Sequence, residues 1–267
     1  MQEQEQKKQN ETFFVSVPNK GKNIIAIASG HGGVGKTWFA ITLAHALSLL
    51  KNKVLLFDGA LGMENIDVQL GLNPKYDLGN AIRCENSLNQ IICNYDKGHF
   101  DIISGRSDAA GLASVPVGRL QILGEDLCSL ASVYDKMILD IGAGVGKSVR
   151  ILSGMAEQII VVCTDEPSSL TGAYAYIKLM REQYPKSRID VVVNQADGQF
   201  EGKRTFDLLL RACDEFLDFR PDLLGVIRRD TRVRDAIRNK MSVISRYPTS
   251  EAAEDVMKIA KRLINGR

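Results

Sequence analysis

Short apolar runs recur along the chain and are separated by longer polar stretches. Seven of these runs predict buried strands, near residues 24–28, 54–57, 100–103, 136–140, 159–163, 189–193 and 223–227. Helical patterns or long loops lie between most of them, and residues 38–50 repeat apolar side chains at helical spacing. This alternation predicts an α/β fold, a doubly wound and mostly parallel sheet with helices on both faces.

The pattern also predicts one domain preceded by a polar segment. Residues 1–20 are rich in Gln, Lys and Glu, which is typical of a mobile tail. Residues 21–267 contain neither an internal repeat nor a linker, so we expect a single domain there. The chain of 267 residues is 45% hydrophobic and 25% charged, as is ordinary for one such domain.

Composition narrows the function classes. A net charge of +2 creates no global field that would attract nucleic acid. The five cysteines form no C-x-x-C pair and the three histidines are scattered, so we expect reduced, mostly buried thiols and no metal cluster. A signal-peptide core and an apolar run of membrane-spanning length are both missing, which predicts a cytoplasmic protein.

One segment, residues 30–37, matches the phosphate-loop pattern G-x-x-x-x-G-K-[ST] between a predicted strand and a predicted helix. In this pattern the glycines let backbone N–H groups curl around a phosphate, Lys36 supplies a positive charge, and the Thr37 hydroxyl can ligate Mg²⁺. The helix N-terminus also favours an anion. The predicted nucleotide-binding residues here are Gly30, Gly32, Gly33, Val34, Gly35, Lys36, Thr37 and Trp38.

A second segment, residues 144–148, reads Gly-Val-Gly-Lys-Ser and imitates this pattern. The first glycine that the pattern requires is replaced by Ile141. We therefore interpret residues 144–148 as a switch loop that runs into a helix. Gly142 and Gly144 would give this loop the flexibility to sense a γ-phosphate.

Polar side chains at the predicted strand ends complete the site, because ligands of doubly wound sheets bind at the carboxyl ends of the strands. Asp140 is predicted to hold Mg²⁺-bound water, with Asp58 as a second Mg²⁺-binding candidate. Either aspartate could instead cap a following loop. Asn194 could pair with an adenine edge through its amide, although a local turn cap is an equal alternative.

Taken together, these residues resemble the MinD/ParA class of deviant-Walker ATPases, and within it the FlhG/FleN regulators of flagellar number and placement. The resemblance covers about residues 22–265. Its more specific segments are residues 61–72, 140–144 and 166–174, followed by a late run of residues 201–202, 213–217, 224–225 and 232–236. It implies ATP and Mg²⁺ as ligands and an ATP-dependent homodimer. It also implies partners such as a flagellar GTPase or components of the flagellar switch and basal body.

Two positions depart from that class. The class carries a signature lysine that reaches the partner subunit's phosphates, where this chain has His31. It also carries a water-positioning aspartate two residues after the match to Asp58, where this chain has Ala60. Losing such groups typically costs ~10³–10⁵ and ~10²–10⁴ in rate, respectively. The resemblance therefore predicts an ATP-binding switch with weak or absent hydrolysis.

Two other functions stay open. The chain could be a competent ATPase in which another residue, with Asp67 as a speculative substitute, positions the water. It could also be a non-catalytic interaction module of a secretion or export machine.

Two surface features have alternative interpretations as well. Residues 251–267 form an amphipathic pattern with basic residues, which suits either peripheral binding to the inner face of the cell membrane or a final helix packed on the sheet. The basic stretch at residues 228–240 is typical of a solvated face, so nucleic-acid binding is not expected.

Overall fold

The structure is a computed structural model that describes residues 21–61, 65–105 and 115–266. Within these ranges, eight strands form one sheet in the order β3-β4-β2-β5-β1-β6-β7-β8. The strands are β1 (Gly21–Ser29), β2 (Val54–Gly59), β3 (Cys93–Tyr95), β4 (Phe100–Ile103), β5 (Lys136–Ala143), β6 (Ala156–Cys163), β7 (Arg188–Ala196) and β8 (Asp222–Arg228). Only β3 is antiparallel to its neighbour in this described sheet, so the prediction of a mostly parallel sheet is confirmed.

Helices cover both faces of the sheet. They are α1 (Lys36–Leu49), α2 (Ile66–Leu70), α3 (Leu78–Ile82), α4 (Val117–Ala131), α5 (Lys147–Gly154), α6 (Pro167–Gln183), α7 (Gln199–Leu217), α8 (Thr231–Arg238), α9 (Val243–Arg246) and α10 (Glu251–Asn265), with a 3₁₀ turn at Leu88–Ile91. Helices α4 to α7 enclose one apolar core, and α1 and α10 enclose a second core on the opposite face. This is the predicted doubly wound arrangement.

All seven predicted strands are present, but β3 was missed. It has three residues and no buried apolar run, so it carries almost no periodic signal. Helix α1 begins at Lys36, two residues before the predicted start at Trp38. Its residues from 38 to 47 are all buried, because the sheet lies on one side of α1 and α10 packs on another.

The final helix, α10, packs against β8 and α1. Val256, Ile259 and Ala260 on its apolar face are buried in the second core. Arg228 of β8 binds the buried Asp255 carboxylate of this helix with a distance of 2.8 Å between Nε and Oδ2. These contacts favour the interpretation of this segment as a packed helix. Across the described ranges, no helix combines the length and apolar character needed to cross a membrane.

The site lies where the winding of the sheet reverses. Strand β1 sits between β5 and β6, and the next strand in the chain, β2, lies on the far side of β5. Connections on the two sides of β1 therefore lead away from each other and leave a crevice at the carboxyl ends of the strands.

Candidate nucleotide site

The loop that joins β1 to α1 contains two glycines in the left-handed region, Gly33 with φ 77° and Gly35 with φ 90°. Residues with a Cβ atom rarely adopt this backbone conformation, so the glycines are required for the loop to turn. Lys36, the next residue, opens helix α1. The loop therefore ends directly at a helix N-terminus, as an anion site requires.

Gly30 is needed for a different reason, because it packs against helix α6. A Cβ atom at Gly30 would lie 1.8 Å from the carbonyl oxygen of Gly172, and one at Gly172 would lie 2.9 Å from the carbonyl carbon of Gly30. The two backbones approach more closely than any side chain would allow. This contact connects the phosphate loop with one of the segments that carried the family resemblance.

Lys36 is held close to the loop. Its ammonium donates a hydrogen bond to the Ser29 hydroxyl at 2.9 Å, and that hydroxyl donates to the carbonyl oxygen of His31. Burial lowers the pKa of Lys36, and the nearby Asp140 carboxylate opposes this shift. Ser29 was not predicted, since nothing in its sequence position distinguishes it from any residue that ends a strand.

The two candidate carboxylates, Asp58 and Asp140, pair in register on the adjacent strands β2 and β5, and both are buried. The Asp58 carboxylate accepts hydrogen bonds from the backbone N–H groups of Ala60, Asn65 and Ile66 at 3.1 to 3.3 Å. It therefore holds the segment that leads into α2. This arrangement favours the loop-capping alternative for Asp58 over direct Mg²⁺ ligation.

Asp140 is in the opposite situation. Neither of its carboxylate oxygens has a hydrogen-bond partner among the described residues. Burial raises the pKa of Asp140; the nearby Thr37 hydroxyl, which does not reach hydrogen-bond geometry, and the Lys36 ammonium both oppose the shift. An orphaned carboxylate beside a hydroxyl and an ammonium fits a hydrated divalent cation, whose water ligands would donate to it.

Asn194, near the end of β7, holds the phosphate loop in place. Its amide nitrogen donates to the carbonyl oxygen of Val34 at 2.8 Å, and a Cβ atom at Gly35 would lie 2.4 Å from that nitrogen. One amide donor is thus committed to the loop, which favours a structural role over adenine pairing. The Trp38 side chain is buried in the core, so side-chain contact with a nucleotide is not supported there.

The predicted switch loop lies between the phosphate loop and the end of β2. Gly144 adopts φ 89°, and its N–H donates to the carbonyl oxygen of Ser29 at 2.9 Å. Gly142, which was predicted to belong to the loop, is instead the next-to-last residue of β5, and a Cβ atom there would lie 3.7 Å from the Cα atom of Ala60. Movement of Gly142 and Gly144 would therefore change the contacts with both Ala60 and Ser29.

His31 and Ala60, which the resemblance connects with hydrolysis, follow the ends of β1 and β2 by two residues and one residue, respectively. His31 is exposed on the phosphate loop, and Ala60 is half-buried. Asp67 lies in the first turn of α2, where its carboxylate accepts a hydrogen bond from the N–H of Val68 at 2.7 Å. Residues 62–64 of the resemblance segment lie outside the described residues.

The first strand of this mostly parallel sheet leads into a glycine loop and a helix that begins with the half-buried Lys36, and the buried Asp140 lies on an adjacent strand. This arrangement defines a P-loop nucleotide-binding protein. The family described as the CobQ/CobB/MinD/ParA nucleotide binding domain matches residues 25–243. The chain belongs to this family.

Comparison with individual proteins adds detail. The chain is 32% identical to the antiactivator FleN of Pseudomonas aeruginosa, over 90% of this chain and 85% of that protein. It is 28% identical to the flagellum site-determining protein YlxH of Helicobacter pylori, over 97% and 86%. The septum site-determining protein MinD of Pyrococcus horikoshii, solved with Mg-ADP, superposes with a TM-score of 0.78 at 24% identity, over 91% and 96%, which shows the shared fold.

Proposed function

We propose that this chain is an ATP-binding switch protein of the type that regulates flagellar number and placement, with weak or absent hydrolysis. The observation that supports ATP binding is the Asp140 carboxylate, which lacks hydrogen-bond partners among the described residues and lies beside Lys36 and Thr37. A buried charge without a partner is costly. A Mg²⁺ ion bound to the Thr37 hydroxyl and to the nucleotide would supply the missing donors through its water ligands.

The loop itself would bind the phosphates. Backbone N–H groups of residues 30–37 and the N-terminus of α1 favour the negative charge, and Lys36 neutralises it. Asn194 and Gly172 act as positioning residues, because each fixes the path of the loop through a direct contact. Gly142 and Gly144 would move when a γ-phosphate is present and so report the nucleotide state.

Weak hydrolysis follows from the residues on either side of the phosphates. Ala60 has no group that could orient a water molecule, and His31 has a shorter side chain than a lysine and carries no ammonium group. His31 is exposed, as a residue facing a second subunit must be in the free protein. We therefore expect an ATP-dependent homodimer that forms less tightly than that of a lysine-bearing relative.

The regulatory role is supported by the two flagellar relatives, one named an antiactivator and the other a site-determining protein. Partners of this kind would be a flagellar GTPase or components of the flagellar switch and basal body. Peripheral membrane binding through residues 251–267 is not part of the proposal, because α10 buries its apolar face against β8 and α1.

Phosphate release and sedimentation with a slowly hydrolysed ATP analogue test this proposal. The variants to compare are His31→Lys, Ala60→Asp and the double substitution. The native chain should turn over very slowly, and the double variant should gain about 100-fold or more, because both groups act on one transition state. Each single variant should gain less.

Two results would contradict the proposal. Native turnover equal to that of the double variant, and abolished by Lys36→Ala, would instead favour the competent ATPase. Asp67→Asn would then show whether this carboxylate positions the water. Complete dimerisation of the native chain with no gain in the double variant would mean that the two departures are compensated elsewhere.

A further inference from the structure

A groove of about 570 Å³ opens between α4 and residues 81–89, away from the nucleotide site. Leu88 and Leu130 lie in its lining together with Ile122 and Val133, whose side chains are 51% and 56% exposed. Exposed apolar side chains that are gathered in one groove favour a docking site over a solvated face. The groove is also within the usual size range of a binding pocket.

The chain carries a segment that suits this surface. Residues 13–17 read Phe-Phe-Val-Ser-Val, and they stand out within the polar first twenty residues. This segment lies outside the described residues and precedes Gly21, where β1 begins, by four to eight positions. Two adjacent phenylalanines carry most of its apolar surface.

The described chain begins beside α4. The side-chain amide of Asn23 donates to the carbonyl oxygens of Ala131 and Tyr134, each at 2.7 Å, at the carboxyl end of this helix. The backbone of Gly21 lies next to Cys128 of the same helix. The preceding residues therefore start within one helix diameter of the groove.

The residues before Gly21 are long enough to reach the groove. Cys128 faces away from the groove, about 120° from Ile122 and about 160° from Leu130 around α4, because successive helical residues are rotated by about 100°. An α-helix with its side chains is about 10–12 Å across. The seven residue steps from Phe14 to Gly21 span up to roughly 25 Å when extended, which is enough to pass around the helix and enter the groove.

We propose that residues 13–17 dock in the groove between α4 and residues 81–89 of the same chain. A second copy of the chain could present the same segment only at its bulk concentration. A short tether instead gives an effective concentration in the mM range. Docking within one chain is therefore favoured at ordinary protein concentrations.

A native cysteine reports on this groove. Cys84 is exposed, contrary to the expectation of mostly buried thiols, and it lies in the groove lining with the Arg119 guanidinium 2.8 Å from its sulfur. A docked segment would shield this thiol from a maleimide reagent. The labelling rate of Cys84, followed by mass spectrometry of its peptide, measures the docked fraction.

The double variant Phe13→Ser with Phe14→Ser should raise the Cys84 labelling rate roughly fivefold or more, because it removes the segment's apolar contacts and shifts the population towards the open state. Ile122→Glu on the groove side should have the same effect, with circular dichroism to confirm the fold. The matched control is Phe200→Ser with Phe216→Ser, which removes two exposed phenylalanines from α7 and should leave the rate unchanged. Cys93, which is not in the groove lining, should label equally in all variants.

A Val15→Cys variant gives a direct measurement, since a short bismaleimide should link the introduced thiol to Cys84 within one chain. Equal Cys84 rates in the native chain and the Phe13/Phe14 variant would overturn the proposal. Shielding that disappears on dilution, or a link that forms only between chains, would overturn it in favour of a second copy as the occupant.

Discussion

Residues 30–37 and residues 144–148 both place a glycine, a lysine and a hydroxyl residue at the start of a helix, yet the two segments have different structures. Gly35 adopts φ 90° before Lys36, which is half-buried close to Asp140. Gly146, at the same position before Lys147, is extended with φ −61°, and Lys147 is exposed. The two segments thus share residue types but not geometry, because only in the first does the glycine directly before the lysine adopt a left-handed conformation.

The largest expected effect is on the free energy of unfolding, and it distinguishes Gly30 in the first segment from Gly146 in the second. Gly30→Ala should destabilise the protein by roughly 3 kcal/mol, because its Cβ atom would lie 1.8 Å from the carbonyl oxygen of Gly172, a backbone atom that cannot easily move. Gly146→Ala should change stability by less than ~0.5 kcal/mol, since nothing lies within 4 Å of its added Cβ. Urea unfolding of both variants measures the contrast, and equal losses would refute the close contact of the loop with α6.

The second prediction concerns the anchoring of α1, the helix that follows the phosphate loop. The buried His45 on this helix shares a hydrogen bond of 3.0 Å with Ser242, and burial lowers the pKa of His45 to about 4. A depressed pKa means that the folded state favours the neutral ring. Its contribution to stability is complete above pH 6.5 and is lost as the pH falls towards 4.

Going from pH 7.5 to pH 5 should therefore cost the native chain about 2 kcal/mol more than it costs His45→Gln, which does not titrate. Unfolding midpoints at the two pH values give this difference. If the two proteins lose stability in parallel, His45 is not held neutral and α1 is anchored by other contacts.

The third prediction compares the two aspartates. Asp140→Asn should stabilise the nucleotide-free protein by ~1–2 kcal/mol, because it removes a buried charge whose oxygens accept no hydrogen bond among the described residues. Asp58→Asn should destabilise it by a similar amount, because three backbone N–H groups donate to that carboxylate. Thermal unfolding without nucleotide measures both. A loss of stability in Asp140→Asn would mean that this carboxylate already has a partner.

Much of the fold could be predicted because its signals are local. Apolar runs such as residues 159–163 mark strands buried on both faces, and the spacing of glycines and Lys36 marks the phosphate loop. Strand β3 escaped prediction because three residues at an edge produce no periodic pattern. The family resemblance supplied what spacing alone could not, namely that His31 and Ala60 stand where other residues are expected.

The remaining features depend on contacts between distant parts of the chain. Asp58 and Asp140 both follow an apolar strand, and only the folded structure shows that backbone N–H groups reach one and not the other. The apolar stripe of α10 fits a lipid surface and a protein core equally well as a pattern. The contact of Gly172 with Gly30 leaves no sequence signal other than a glycine within a helix.

Thermal unfolding with and without Mg²⁺ and ATP, in the native chain and the matched variants Lys36→Ala and Lys147→Ala, tests the central claim most directly. Nucleotide at a hundred times its dissociation constant should stabilise the native chain by ~2.7 kcal/mol. Lys147→Ala should show the same stabilisation, and Lys36→Ala should lose most of it. If Lys36→Ala is stabilised as much as the native chain, residues 30–37 are not the nucleotide site.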